Sequence, residues 1–138
     1  MLPSGLPELV GDEEELMRFL TQSSHFNSTT VKPAAFLPAP SSQETSVFRR
    51  AGHTFEELNT LGIKYAAVGR NIHGLAIIKA IDVRMSELEV LATEPPEKHA
   101  AIRNWPWLQN DPELQKAKQK DRALLLVSKA SLHITHES

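Results

Sequence analysis

His99 and Arg103 stand four residues apart in the run His-Ala-Ala-Ile-Arg. If residues 99–103 form a strand, His99, Ala101 and Arg103 point to one face while Ala100 and Ile102 point to the other. The apolar pair then turns to the core, leaving an imidazole and a guanidinium together on the opposite side. Such a pair suits an anion, with arginine as a fixed bidentate donor and histidine as a titratable donor or proton carrier. The plainer reading has His99 capping the loop after Pro95-Pro96 and hydrogen-bonding to backbone. Arg49, followed by Arg50, ends a strand-like run just before a helix, where its guanidinium would close over a carboxylate or phosphate; an ordinary structural ion pair with a glutamate is the alternative. His25, in Ser-Ser-His-Phe-Asn, would either contact a ligand or satisfy the last carbonyls of a preceding helix. His99 and His25 are therefore the candidate catalytic residues, and Arg49, His99, Arg103 and Trp105 the candidate ligand-binding residues. Trp105 and Trp107 bracket Pro106 as either a stacking platform for a base or an aromatic lid on the core.

Other chemistries find little support in the sequence. His133 and His136 are three apart with Glu137 next, a helical spacing that brings two imidazoles towards one ion. No HExxH pattern accompanies them, so no metal site is assigned. The chain has no cysteine, which excludes a disulfide, a thiol nucleophile and thiolate metal ligands. No serine lies in a G-x-S-x-G or S-x-x-K context, and none of the 6 glycines forms a phosphate-loop or dinucleotide pattern. No cofactor is therefore expected. Lys116, Lys120, Lys118 and Arg122 look like a basic stripe when read linearly. Residues two apart on a helix lie about 200° from each other, so the charges divide into the pairs 116/120 and 118/122. A solvated helix surface accounts for that division, and nucleic acid is not an expected partner.

The elements that must position these residues can be read from capping and periodicity. Asp12 is a plausible N-cap for a helix over residues 12–22, with Glu13, Glu14 and Glu15 in its first turn and Leu16, Met17 and Leu20 as a buried stripe. Residues 31–40 hold Pro33, Pro38 and Pro40 and read as an edge strand or extended segment. Residues 45–49 read as a strand. Thr54 and Glu57 make a capping box for a helix carrying Phe55, Leu58, Leu61, Tyr65 and Val68, with Gly62 as a possible break. A turn follows over residues 69–74, then a buried strand over 75–78, one or two helical turns over 79–86, and a strand around Leu88 and Val90. Asp111 before Pro112 starts a helix running to about Lys129, expected to be well buried over residues 123–127.

With 138 residues, 41% hydrophobic and 23% charged, the chain has the composition of one globular domain. A domain of this size buries roughly two-thirds of its unfolded surface, enough to fold without a metal or disulfide. The division expected is a flexible lead-in over residues 1–11, a single α+β domain over 12–130, and a C-terminal tail over 131–138. The net charge of −2 supplies no global positive field. No run is long enough for a membrane span or signal peptide, so a cytoplasmic location is expected.

Three motifs, Lys32-Pro33-Ala34-Ala35-Phe36-Leu37-Pro38, Ser46-Val47-Phe48-Arg49, and Pro95-Pro96 followed by His99-Ala100, Ile102 and Trp105-Pro106, carry a resemblance. With weaker echoes at Glu56-Glu57-Leu58, Leu61-Gly62, Val83-Arg84 and Leu88-Glu89-Val90, the chain resembles a family of short uncharacterised bacterial proteins. It departs from that pattern at Asn59, where an aromatic residue is expected, and at Glu87, where glycine is expected. The resemblance implies a compact, soluble bacterial domain and supplies no catalytic residue.

The fold expected is α+β, about three helices beginning near Asp12, Thr54 and Asp111 packed on a small mixed or antiparallel sheet. Two functional readings stand. The favoured one is a non-catalytic interaction module, self-associating as a homodimer or meeting another protein through exposed Phe and Trp loops. The alternative is a small enzyme or binding protein for an anionic, phosphate-bearing ligand, with His25, Arg49, His99 and Arg103 lining its pocket.

Overall fold

The structure, a computed structural model, describes residues 2–65 and 71–134, Tyr65 by its backbone alone. Three helices pack with a six-stranded antiparallel sheet, the α+β arrangement expected. The strands are β1 (Glu15–Leu20), β2 (Thr45–Arg49), β3 (Gly74–Lys79), β4 (Glu89–Ala92), β5 (His99–Arg103) and β6 (Ser131–Ile134). The helices are α1 (Phe55–Tyr65), α2 (Ala80–Met85) and α3 (Pro112–Lys129). Across the sheet the order is β4-β5-β2-β1-β3-β6.

The expected helix over residues 12–22 is instead strand β1, paired with β2 on one side and β3 on the other. The reason lies in its two buried faces. Leu16 and Leu20 enter the core under α3, while Met17 and Phe19 pack with α1 on the other side. A strand covered on both faces loses the apolar–polar alternation that would identify it. Apolar residues at 16, 17, 19 and 20 then imitate helical spacing. The glutamates expected at a helix N-terminus pair instead with cations from neighbouring elements: Glu13 with Lys79, Glu14 with Arg49, and Glu15 with Arg50.

The sheet separates two apolar layers. The larger contains Leu16, Leu20, Val47, Ala76, Ile78, Val90, Ala100 and Ile102 under α3, α2 and the 3-10 turn Pro33–Ala35. The smaller contains Met17, Phe48, Leu75 and Ile77 under Leu58 of α1. The capping box of α1 is present, with the Thr54 amide donating to Glu57 Oε1 at 2.9 Å and the Glu57 amide to Thr54 Oγ1 at 3.2 Å. Gly62 does not break this helix. A Cβ there would lie 2.5 Å from the Phe19 ring, so the glycine lets helix and sheet approach closely. Val68 and the start of the expected turn over 69–74 lie outside the described residues.

Several other expectations change. Residues 31–40 contain the turn Pro33–Ala35, which places Ala35 and Phe36 in the core with no exposed surface. Helix α3 buries Gln119, Ala123 and Leu126, but Leu124 and Leu125 are each 46% exposed. A helix lying on a sheet buries one stripe, so the run over 123–127 is divided between core and solvent. The stretch read as the start of a tail adds β6 beside β3. There His133 stacks on Phe55 at 3.9 Å between ring centroids, and the Arg50 guanidinium lies 4.6 Å from the same ring's centroid. Ahead of β1, Val10 is buried and the Pro7 carbonyl accepts from Arg49, so the packed body begins before Asp12. Glu87 adopts φ 64°, a left-handed conformation that glycine takes without strain. No described helix is long and apolar enough to cross a membrane.

Candidate anion-binding groove

The residues singled out by type and spacing divide among several places. In β5, Ala100 and Ile102 do enter the main core, and His99, Ala101 and Arg103 face the opposite way. Four residues along a strand cover about 13 Å, so the imidazole and the guanidinium spring from well-separated points. Arg103 pairs with Glu44. His99 Nδ1 lies 2.6 Å from Thr93 Oγ1, and its ring meets Phe48 edge-on at 5.3 Å between centroids. Phe48 and His99 are partners in the β2–β5 register, which places Arg49, the next residue, on the other face of the sheet. Arg49 has no exposed surface and donates to both carboxylate oxygens of Glu14 and to the Pro7 carbonyl. His25 ends a 3-10 turn, Ser23–His25. Trp105 is buried in the main core with no hydrogen-bond acceptor for its indole N–H among the described residues, and Trp107 is 56% exposed. Arg49 and His99, proposed to line one pocket, therefore lie on opposite faces of the sheet.

Burial lowers the His99 pKa below the usual 6.5, partly opposed by the hydrogen bond to the Thr93 backbone, while the charges of Glu44 and Arg18 act in opposite senses. The unfolded chain then takes up a proton before the folded one does. This contribution to stability is complete above 6.5 and is lost as pH falls through the folded value. Urea midpoints taken at about pH 7.5 and about pH 5.5 should therefore draw apart more in the parent than in His99→Gln, which keeps a polar partner for Thr93 and cannot titrate. Equal separations in both proteins would show that His99 does not set this limb.

A different set of cations does converge. The Lys32-Pro33-Ala34-Ala35-Phe36-Leu37-Pro38 segment packs beside α3 and is held in place by hydrogen bonds to the 3-10 turn before it and to β1 and β2. The Lys32 amide donates to the His25 carbonyl at 2.8 Å, and the Phe36 amide to the Pro33 carbonyl at 3.0 Å, closing the turn. Arg18 Nε donates to the Ala35 carbonyl at 2.9 Å, and Thr45 Oγ1 donates to the Phe36 carbonyl at 2.6 Å. Arg18 also donates to the Ser46 carbonyl at 3.0 Å, just beyond the Met17–Phe48 pair at which the β1–β2 register ends. From α3, buried Gln119 donates to the Pro106 carbonyl and to Gln43, each at 2.9 Å. These bonds satisfy carbonyls that burial would otherwise orphan, fixing the turn to the sheet and α3 to the Gln43 and Pro106 loops.

Between turn and helix runs a groove of about 430 Å³, lined by Ser24, Lys32, Pro33, Ala34, Leu37, Lys116 and Lys120. Lys116 and Lys120 are one helical turn apart and project side by side, facing Lys32 across an apolar floor. None of the three makes an ion pair among the described residues, and no carboxylate lines the groove. The contrast with the cleft beside α1 is informative. That cleft, about 360 Å³, also presents two lysines, Lys64 and Lys98, but includes Glu57, 3.3 Å from His53 Nδ1. Sequence reading found the 116/120 pair and assigned it to solvent; the approach of Lys32, 84 positions earlier than Lys116, required the fold.

Among the described residues no three His, Cys, Asp or Glu side chains are grouped to hold a metal ion. His133 is engaged with Phe55, and His136 and Glu137 lie outside the described residues. Comparison of the chain with protein-family models, with curated proteins and with solved structures finds no match.

Proposed function

We propose that this protein is a non-catalytic binding module that takes an anionic ligand in the groove between α3 and the Pro33–Ala35 turn. The observation that supports this is the meeting of three lysines over an apolar floor with no lining carboxylate. Like charges held near one another repel, and an anion between them relieves that repulsion. The apolar floor loses water when the ligand's non-polar part covers it. Binding without chemistry fits the lining, since lysine ammoniums at a solvated surface act as point charges and the one hydroxyl, Ser24, has no base among the lining residues. The setting we propose is the bacterial cytoplasm, supported by the resemblance to soluble bacterial proteins.

The test is a titration of the isotopically labelled protein with pyrophosphate, citrate and octanoate, followed by amide chemical shifts. Saturable shifts are expected at Ser24, Lys32, Ala34, Lys116 and Lys120, weakening as salt is raised. Lys116→Glu with Lys120→Glu should weaken binding at least about tenfold, because each reversal replaces an attraction with a repulsion. Its melting temperature should stay near the parent's, since both side chains are exposed. Shifts centred elsewhere, or titrations indifferent to the double reversal, would remove the basis for this assignment.

A further inference from the structure

The geometry points to an acidic polypeptide segment carrying a large apolar side chain as the groove's occupant, an inference that rests on the anion-binding reading above. Three features select this chemistry over a free ion. The first is charge without a fork. All three cations are lysines, the lining holds no arginine, and each ammonium is exposed to water. Single contacts of that kind are weak, so a lone phosphate gains little, whereas several carboxylates on one chain gain from every lysine at once.

The second feature is the floor. Pro33, Ala34 and Leu37 present apolar surface between the charges, and Leu37 is 36% exposed. A polyanion with no apolar group would leave that surface wet. The third is continuity along α3. Leu124 lies one turn beyond Lys120 on the same flank and is 46% exposed. Lys116, Lys120 and Leu124 thus form a line of two cations and one apolar residue, long enough to follow a peptide. An acidic segment with leucines among its carboxylates complements that line in charge and in polarity. The groove is more open than enclosed, which suits a chain lying across it better than an acyl tail that must be enclosed.

The probe is a fluorescein-labelled synthetic peptide, Glu-Leu-Glu-Glu-Leu-Glu-Glu-Leu, titrated with the full chain and followed by anisotropy. An all-glutamate peptide, pyrophosphate and phosphatidylglycerol vesicles serve as competitors. The leucine-containing peptide is expected to bind about tenfold more tightly than the all-glutamate one, which is cut to the same number of side-chain carboxylates, the gain given by covering one large apolar side chain. Lys120→Glu should weaken both peptides, while Leu37→Ser, which removes apolar surface without adding charge, should weaken the leucine-containing peptide more than the all-glutamate one. If the two peptides bind alike, or if vesicles compete more strongly than peptide at equal anionic charge, the peptide assignment is overturned and the anion-binding groove survives. If no probe responds to Lys120→Glu, both readings fall together.

Discussion

Glu14→Ala should destabilise the fold by about 3 kcal/mol, near the lower end of the range for breaking a buried ion pair. The Arg49 guanidinium has no exposed surface, and Glu14 receives its Nε and Nη2 hydrogens at 2.8 Å each. Without the carboxylate, a buried positive charge keeps only the Pro7 carbonyl, 2.6 Å from Nη1. Glu14 itself is 28% exposed, so water reaches its side of the pair and moderates the loss. For a domain of this size the melting temperature should fall by about 10 °C. Arg49→Met should cost less, because it leaves no buried charge and the partly exposed carboxylate regains water. Burial raises the Glu14 pKa, but hydrogen bonds from Arg49 and the Gly11 amide outweigh it and hold the carboxyl below 4.5. The pair's contribution is therefore present above 4.5 and lost as pH falls through the folded value. Equal melting temperatures for Glu14→Ala and the parent at neutral pH would show that Arg49 finds another acceptor and that the pair does not anchor β1.

Phe36→Ala is expected to cost about 3–5 kcal/mol and to remove anion binding with it. Phe36 is fully buried in the main core, directly after the turn that carries Lys32, Pro33 and Ala34 into the groove. Truncating the ring leaves a cavity under the turn that neighbouring backbone can only partly close, since Arg18 and Thr45 hold the carbonyls of Ala35 and Phe36. One wall of the groove then loses its position, while Lys116 and Lys120 remain on α3. Chemical denaturation gives the stability change, and citrate titration of the folded variant gives the binding. A variant that loses the expected stability yet binds citrate as the parent does would show that the turn's placement is not what brings Lys32 to the lysine pair.

Much of the local structure was legible because it depends on neighbours in sequence. Thr54 with Glu57, and Asp111 with Pro112, announce their helix starts through backbone amides within one turn, and Asp111 does accept from the Leu114 amide at 3.1 Å. The runs at β2, β3, β4 and β5 read as strands because each is bounded by turn residues and short enough to cross a small sheet. Strand β1 misled for the opposite reason: its two apolar faces answer to two different layers, a fact that no short window contains. Helix α3 misled less. Its extent was clear, but which of Leu124, Leu125 and Leu126 faces the sheet depends on how the helix is rotated against Ala100 and Ile102.

The same division holds for the candidate site. His99 and Arg103 lie on one face of β5, as alternation requires, but alternation says nothing of Thr93, Phe48 or Glu44, which come from other strands and loops and engage them. Arg18 was invisible as a positioning residue while it belonged to an expected helix; as part of a strand it reaches the Ala35 carbonyl. By itself the sequence determined the fold class, the two capped helix starts, four of the strands and the absence of thiol chemistry. All of these rest on residue type or on spacing within a few positions. The tertiary structure alone decided that Arg49 is sealed against Glu14 and that Lys32 faces Lys116 and Lys120. Those are long-range pairings, set by how the layers stack around the core, and side chains far apart in sequence meet only after the apolar residues between them have been buried.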